Sequence, residues 1–367
     1  MASVWNRGLK FSIFGESHGK AIGVVVDNLP SGFEIDFDKI KSFTKRRVQA
    51  RFKFGCAMRC EPDEFEILSG IFEGKTTGSP VCAVAFNKKI NSKPYEKLKN
   101  LLRPGHADYT AFKRYGGFND FRGAGHLSGR LTAALVFVGA LCEQLLAHKN
   151  IKCFAHISSV GKVVDSSFLD EKFSNRGCLL NLDEAKKNAV VVLNKKIIPE
   201  IEAEVKKHSE QGNSIGGVVE CAIFGVEAGV GSPMFDRIEN YLADLIFAIP
   251  AVKGIEFGLG FEAARLTGLE NNDEFIVENG SIKTKTNNCG GVLGGISTGM
   301  PIVFKVAIKP TPTIFKEQQF VNIKTLEQSV LCFEGNHDSC IVLRAVVVVE
   351  AVANIAMVSQ LLNQGLF

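Results

Sequence analysis

The stretch LTAALVFVGALCEQLLA, residues 131–147, is the longest apolar run in the chain, and its reading separates a membrane protein from a globular one. A bilayer span needs about 20 consecutive apolar residues. This run is shorter and is interrupted by Glu143 and Gln144, so it reads as a helix buried in a protein core. Outward from it, strand-like runs occur at AIGVVVD (Ala21–Asp27), VCAVAF (Val81–Phe86), GGVVECAIF (residues 216–224) and PIVFKVAI (residues 301–308), each bounded by turn residues. Helical periodicity covers residues 36–47, 128–147, 199–211, 234–247 and 344–362. Strands and helices do not alternate regularly, which points to α+β layers rather than a doubly wound sheet.

No low-complexity segment, short-period repeat or Pro/Ser/Gly linker divides the 367 residues, so residues 1–367 are read as one domain. GVVVDNLPSG (residues 23–32) and GVVECAIFGVEAG (residues 217–229) echo one another, through two related halves or through chance recurrence of a strand-turn unit. The composition, 46% hydrophobic and 22% charged, excludes a disordered or fibrous chain. A net charge of +4 is too small for a protein that binds nucleic acid through phosphates, so no nucleic-acid or membrane partner is expected. The segment MASVWNRGLKF has neither the apolar core nor the cleavage site of an export signal, and a cytoplasmic location is expected. Of ten cysteines only Cys56 and Cys60 are close, with no second pair at ligand spacing. Free thiols and no metal are expected.

Chemistry concentrates in a few stretches. FGESHGK, residues 14–20, satisfies the G-x-S-x-G of a nucleophile elbow at Ser17, but it sits at the start of the chain with a strand behind it, where an elbow needs a helix. It lacks the fourth spacer residue and the hydroxyl of a P-loop. What remains is a glycine-flanked turn presenting Ser17 and His18, the latter able to donate a proton to a leaving group. In RPGHADYT the Pro-Gly turn gathers Arg103, His106 and Asp108, a grouping for anion contact and proton transfer or an incidental solvated loop. Residues 286–313, rich in glycine and ending in Lys309-Pro310-Thr311-Pro312-Thr313, read as a hairpin with a rigid exit. EGNHDSC places Asp338 just before an apolar helix, as a functional acid or a helix-start residue. The run Lys45, Arg46, Arg47, Arg51, Lys53 is a solvated face or a small-anion clamp.

The order and wording of FGESHG, EILSGIFEGKTTGSP, RPGHADYT, GNSIGGVVE, AVKGIEFGLGF, NNCGGVLGGISTGMPIVF, KPTPTI and HDSCIVLRAVVVVEA resemble the chorismate synthase family over essentially the whole chain. The resemblance implies a carbon–oxygen lyase of the shikimate pathway. It would carry 5-enolpyruvylshikimate 3-phosphate to chorismate and phosphate by an anti 1,4-elimination that requires reduced FMN without net redox change. It further implies a homotetramer with helices packed between antiparallel sheets. Carried over by motif, His18 protonates the departing phosphate, His106 protonates reduced flavin, and Asp338 keeps the flavin ready to take the substrate proton. FMN contacts fall on His126, Leu127, Ser128, Pro250, Ala251, Gly294, Lys309, Pro310, Thr311, Pro312, Thr313 and Asn336. Substrate contacts fall on Ser17, Arg47, Arg103 and Arg130, and any NADPH contacts on Arg47 and Lys53.

The chain departs from the family pattern at three places. His126-Leu127 and Asn336 stand where the family has arginine or serine, and the basic loop differs near Val48-Gln49-Ala50. A charge-assisted hydrogen bond contributes about 1.5–3 kcal/mol, so each missing arginine implies a ten- to hundredfold loss of ligand affinity, of which His126, if protonated, would recover part at one position; the alternative these losses imply is a paralogue that binds flavin or anions without the elimination. The altered loop implies that reduced FMN is supplied from outside rather than by the chain's own NADPH oxidation.

Overall fold

The computed structural model describes residues 3–49, 63–88, 90–170, 182–333 and 338–367. Two five-stranded antiparallel sheets enclose a layer of helices. The first comprises β1 (Val4–Arg7), β2 (Leu9–Gly15), β3 (Ala21–Asp27), β4 (Glu66–Ser69) and β5 (Val81–Phe86), in the order β1-β2-β3-β5-β4. The second comprises β6 (Lys152–Val160), β7 (Val163–Val164), β8 (Gly217–Phe224), β9 (Val252–Phe257) and β10 (Ile302–Ile308), in the order β7-β6-β8-β10-β9. This is the α+β arrangement expected. The two echoing sequence segments supply β3 and β8, the central strand of each sheet.

The main helices are α1 (Phe37–Gln49), α2 (Thr132–Ala147), α3 (Ile238–Phe247) and α4 (Val342–Asn363). Helices α2 and α4 pack side by side between the sheets, with α1 and α3 against α4. Being apolar on every side, both must be covered on every side. Arg122–Ala147 and Val342–Asn363 have the length and hydropathy to cross a bilayer, yet 89% and 94% of their most apolar windows are buried inside the molecule. Gly139 permits the close crossing of α2 and α4, since a Cβ there would lie 2.4 Å from that of Ala351.

Two expected helices start late for local reasons. Ser128 caps a short 3-10 turn, Gly129–Leu131, and α2 begins only after it. Met234 adopts a left-handed φ of 58° in another such turn, which delays α3 to Ile238.

Buried charge ties the layers together. Glu350, wholly buried on α4, accepts from Arg46 Nη1 and Nη2 at 2.8 and 3.0 Å and pairs with Lys186 at 2.8 Å. Burial alone would raise its pKa, but the two cations hold it at about 2. In the second sheet, His156 lies between Glu220 at 2.9 Å and Asp165 at 3.2 Å, all without exposed side-chain surface. Burial disfavours its charge, and the two carboxylates overcome that and raise its pKa.

Candidate active site

The turn between β2 and β3 closes through a Gly19 N–H to Glu16 carbonyl bond of 3.0 Å and carries Ser17 and His18 inward. Its cover is residues 123–125, three successive left-handed positions with φ of 55°, 72° and 53°. Gly123 is required there, because a Cβ would sit 2.3 Å from His18 Cε1. Ser17 is 1% exposed, and its hydroxyl points at the carbonyls of Gly123 (2.9 Å) and Arg122 (3.2 Å). With the hydroxyl proton so directed, the 3.0 Å contact between Ser17 Oγ and His18 Nδ1 has the imidazole as donor. A buried hydroxyl bonded to backbone carbonyls is no nucleophile, whereas His18 beside it is a titratable side chain that lines the cleft. Its ring stands edge-on to Tyr95, with centroids 4.9 Å apart.

The RPGHADYT turn folds as a three-residue cluster. Asp108 receives Arg103 Nε at 2.8 Å, Arg103 Nη2 at 2.7 Å and His106 Nδ1 at 2.7 Å. Burial would raise the Asp108 carboxyl, but bonds from Arg103 and then His106 outweigh it and hold the pKa far below the usual range. Asp108 thereby fixes the orientation of the His106 ring through Nδ1, which Arg103 Nη2 also approaches at 3.2 Å.

Arg47, in the last turn of α1, and Arg130, just before α2, share one carboxylate, the buried Asp63. The adjacent arginines of the basic run therefore separate, Arg46 turning into the core toward Glu350 and Arg47 toward the site.

These groups open on one cleft of about 1880 Å³. Its lining includes the apolar side chains of Leu135, Leu245, Ile249, Val252, Ile341 and Val348. His18, Arg47, Arg103, His106, Arg130 and Arg344 line its polar side. Pro250, Ala251, Lys309, Thr311, Pro312 and Thr313 line another wall, tied together by a Lys309 N–H to Ala251 carbonyl bond of 2.9 Å and a Lys309 Nζ to Gly105 carbonyl bond of 2.6 Å. Thr311 Oγ1 donates to the Asp338 carbonyl at 2.8 Å. Asp338 is not the cap of α4, a position held by Ile341. Its side chain instead meets Arg344 Nη1 at 3.0 Å.

The remaining expected residues divide. His126, Leu127 and Ser128 line the cleft, but the two His126 nitrogens are taken by the Gly15 carbonyl and Ser3 Oγ, both at 2.9 Å. His126 thus lines the cleft with both ring nitrogens tied to its wall. Gly294 occupies the tight turn between Val292–Leu293 and Ile296–Ser297, and neither it nor Pro310 is among the residues that line this cleft. Lys53 and Asn336 fall outside the described residues. Among the described residues no cluster of His, Cys, Asp or Glu has the arrangement of a metal site.

Sequence reading missed Asp63, Arg344 and Asp120. Asp120 lines the cleft, and Arg122 grips it through Nε and Nη2 at 2.9 Å each. Burial would raise its pKa, but the Arg122 bonds and the nearby His18 lower it. The Asp-x-Arg spacing was a usable signal for that pair. Asp63 and Arg344 carry none.

A sequence profile described as chorismate synthase matches residues 9–362. The chorismate synthase of Dehalococcoides mccartyi is 43% identical over 367 residues, spanning 100% of this chain and 98% of that protein. Those of Thermococcus kodakarensis and Methanocaldococcus jannaschii are each 42% identical over 97% of this chain, spanning 96% and 95% of their own lengths. A crystal structure of chorismate synthase superposes with a TM-score of 0.76 at 30% identity, covering 97% of this chain and 92% of that one.

Proposed function

The chain belongs to the chorismate synthase family, and on that premise we propose that its cleft eliminates phosphate from 5-enolpyruvylshikimate 3-phosphate to give chorismate, as a carbon–oxygen lyase of the shikimate pathway. The observation that carries the proposal is the convergence of His18 and His106 with Arg47, Arg103, Arg130 and Arg344 on one cleft. The substrate bears two carboxylates and a phosphate, for which guanidinium groups give bidentate, oriented pairing.

The cleft suits reduced FMN by its chemistry. Its apolar lining accepts a flat ring system, and Lys309, Thr313 and Ser128 offer donors around it, with Thr311 beside them. Leu127, Pro250, Ala251 and Pro312 would complete the enclosure, with His126 holding the wall rather than contacting phosphate. When bound, reduced flavin supplies the electron-rich centre that makes loss of the substrate's C6 proton and phosphate feasible.

The chain's own residues then have distinct tasks. His18 donates from its ring to the departing phosphate, its Nδ1–H anchored on Ser17. His106, oriented by Asp108, exchanges its proton at Nε2. Asp338, held by Arg344, presents a carboxylate to the same cleft and keeps the flavin ready to take the substrate proton. Arg47, Arg103 and Arg130 orient the substrate anions and exclude water from them. The proposal includes a cytoplasmic homotetramer of single-domain chains that takes reduced FMN from an external source.

Purified protein is expected to release inorganic phosphate from the substrate anaerobically with chemically reduced FMN. Folded, flavin-saturated protein that releases none refutes the assignment. NADPH oxidation in the presence of FMN is expected to be absent.

A further inference from the structure

We propose that Asp63 and Asn87 are positioning residues that hold the anion-binding arginines in register with His18. The inference rests on the reaction assigned above and adds to it two residues that no motif pointed to. Asp63, whose side chain is 1% exposed, receives Arg47 Nη1 on Oδ2 at 2.7 Å and Arg130 Nη1 on Oδ1. A single carboxylate thereby joins the end of α1 to the start of α2. Arg47 is further bound through Nε to Thr132 Oγ1 at 3.1 Å and through Nη2 to the Gly129 carbonyl at 3.0 Å.

The path continues to the acid. Arg130 Nε donates to Asn87 Oδ1 at 3.2 Å. The amide of Asn87, the residue following β5, donates to the carbonyls of Glu16 at 3.1 Å and Gly19 at 3.0 Å, on either side of Ser17 and His18. Its backbone N–H adds a bond to the Lys20 carbonyl at 3.0 Å. Asp63, Arg130, Asn87 and the His18 turn are thus one connected chain of hydrogen bonds. A carboxylate beside an anion site opposes anion binding by Coulomb's law. Its place there is explained if fixing two planar guanidinium forks contributes more than its charge takes away.

That balance gives a test of sign. Asp63→Asn adds positive charge to the wall, so charge alone predicts tighter binding of inorganic phosphate to the flavin-free protein. Positioning predicts binding weaker by about tenfold or more, measured by calorimetry at fixed ionic strength. A folded Asp63→Asn protein that binds phosphate as tightly as wild type, or more tightly, overturns the anchor. Asn87→Ala leaves both arginines on Asp63 and frees the turn. Phosphate affinity is expected to stay within about threefold while kcat falls about tenfold or more at constant KM. An unchanged kcat overturns the link to His18, and this variant decides alone if Asp63→Asn does not fold. Wild-type protein that binds phosphate but does not turn over counts against the assigned reaction, and the Asp63→Asn phosphate comparison still judges the anchor.

Discussion

Replacing Gly123 by alanine tests whether the left-handed cover of the turn places His18. The new Cβ would lie 2.3 Å from His18 Cε1, 2.5 Å from Nδ1 and 2.8 Å from Ser17 Oγ, at a backbone φ of 55°. Relief of that contact requires the ring or the cover to move by about 1 Å. A displacement of that size at a proton donor costs about a hundredfold in kcat. The left-handed alanine costs about 1–2 kcal/mol of stability and the crowding about 1–3 kcal/mol more. Gly280→Ala is the matched control, because φ is 74° there and nothing lies within 4 Å of the added Cβ. It bears the same backbone cost without touching the cleft, so its kcat should equal that of wild type. The assay is anaerobic phosphate release with chemically reduced FMN, alongside thermal unfolding of each variant. A folded Gly123→Ala protein with kcat within about threefold of wild type would falsify the claim that this contact positions His18.

Three further outcomes are expected. Asp108→Asn should lower stability by about 1.5–3 kcal/mol near neutrality. Because the Asp108 pKa is depressed on folding, its contribution is complete above the ordinary carboxylate value near 4 and fades as pH falls through the lower folded value, so urea unfolding should show the gap to wild type closing in acid. The His156 pKa is raised on folding, so its contribution is complete below about pH 6.5 and is lost as pH rises through the folded value. The melting temperature of wild type should therefore decline with rising alkalinity, and that decline should be smaller in Glu220→Gln; parallel profiles would refute the pairing. Gly139→Ala should destabilise by about 1–3 kcal/mol by forcing α2 from Ala351, while an unchanged denaturation midpoint would show that the crossing relaxes freely.

Local patterning determined much of this molecule. β3 and β5 fall where β-branched runs meet turn residues, because strand propensity and flanking breakers act over a few residues. The apolar run at residues 131–147 pointed to a helix, and its burial between the sheets is what marks it as core. The motifs also singled out His18 and His106, each in a short turn whose glycine or proline is itself the signal, and Asp338 ahead of an apolar helix.

Only the tertiary structure decided which of these turns meet, and with what partners. Nothing local separates Arg46, which neutralises a buried glutamate on α4, from Arg47, which faces the cleft, because the direction of each side chain depends on helices distant in sequence. His126 has the motif position of a ligand contact, yet the nearby Gly15 carbonyl and Ser3 hydroxyl occupy its nitrogens. Asp63 and Asn87 are ordinary residues in sequence and acquire their role from the arginines packed against them. Hydrogen-bond geometry is set by the packing of whole layers, and the order of residues along the chain specifies it only through the complete fold.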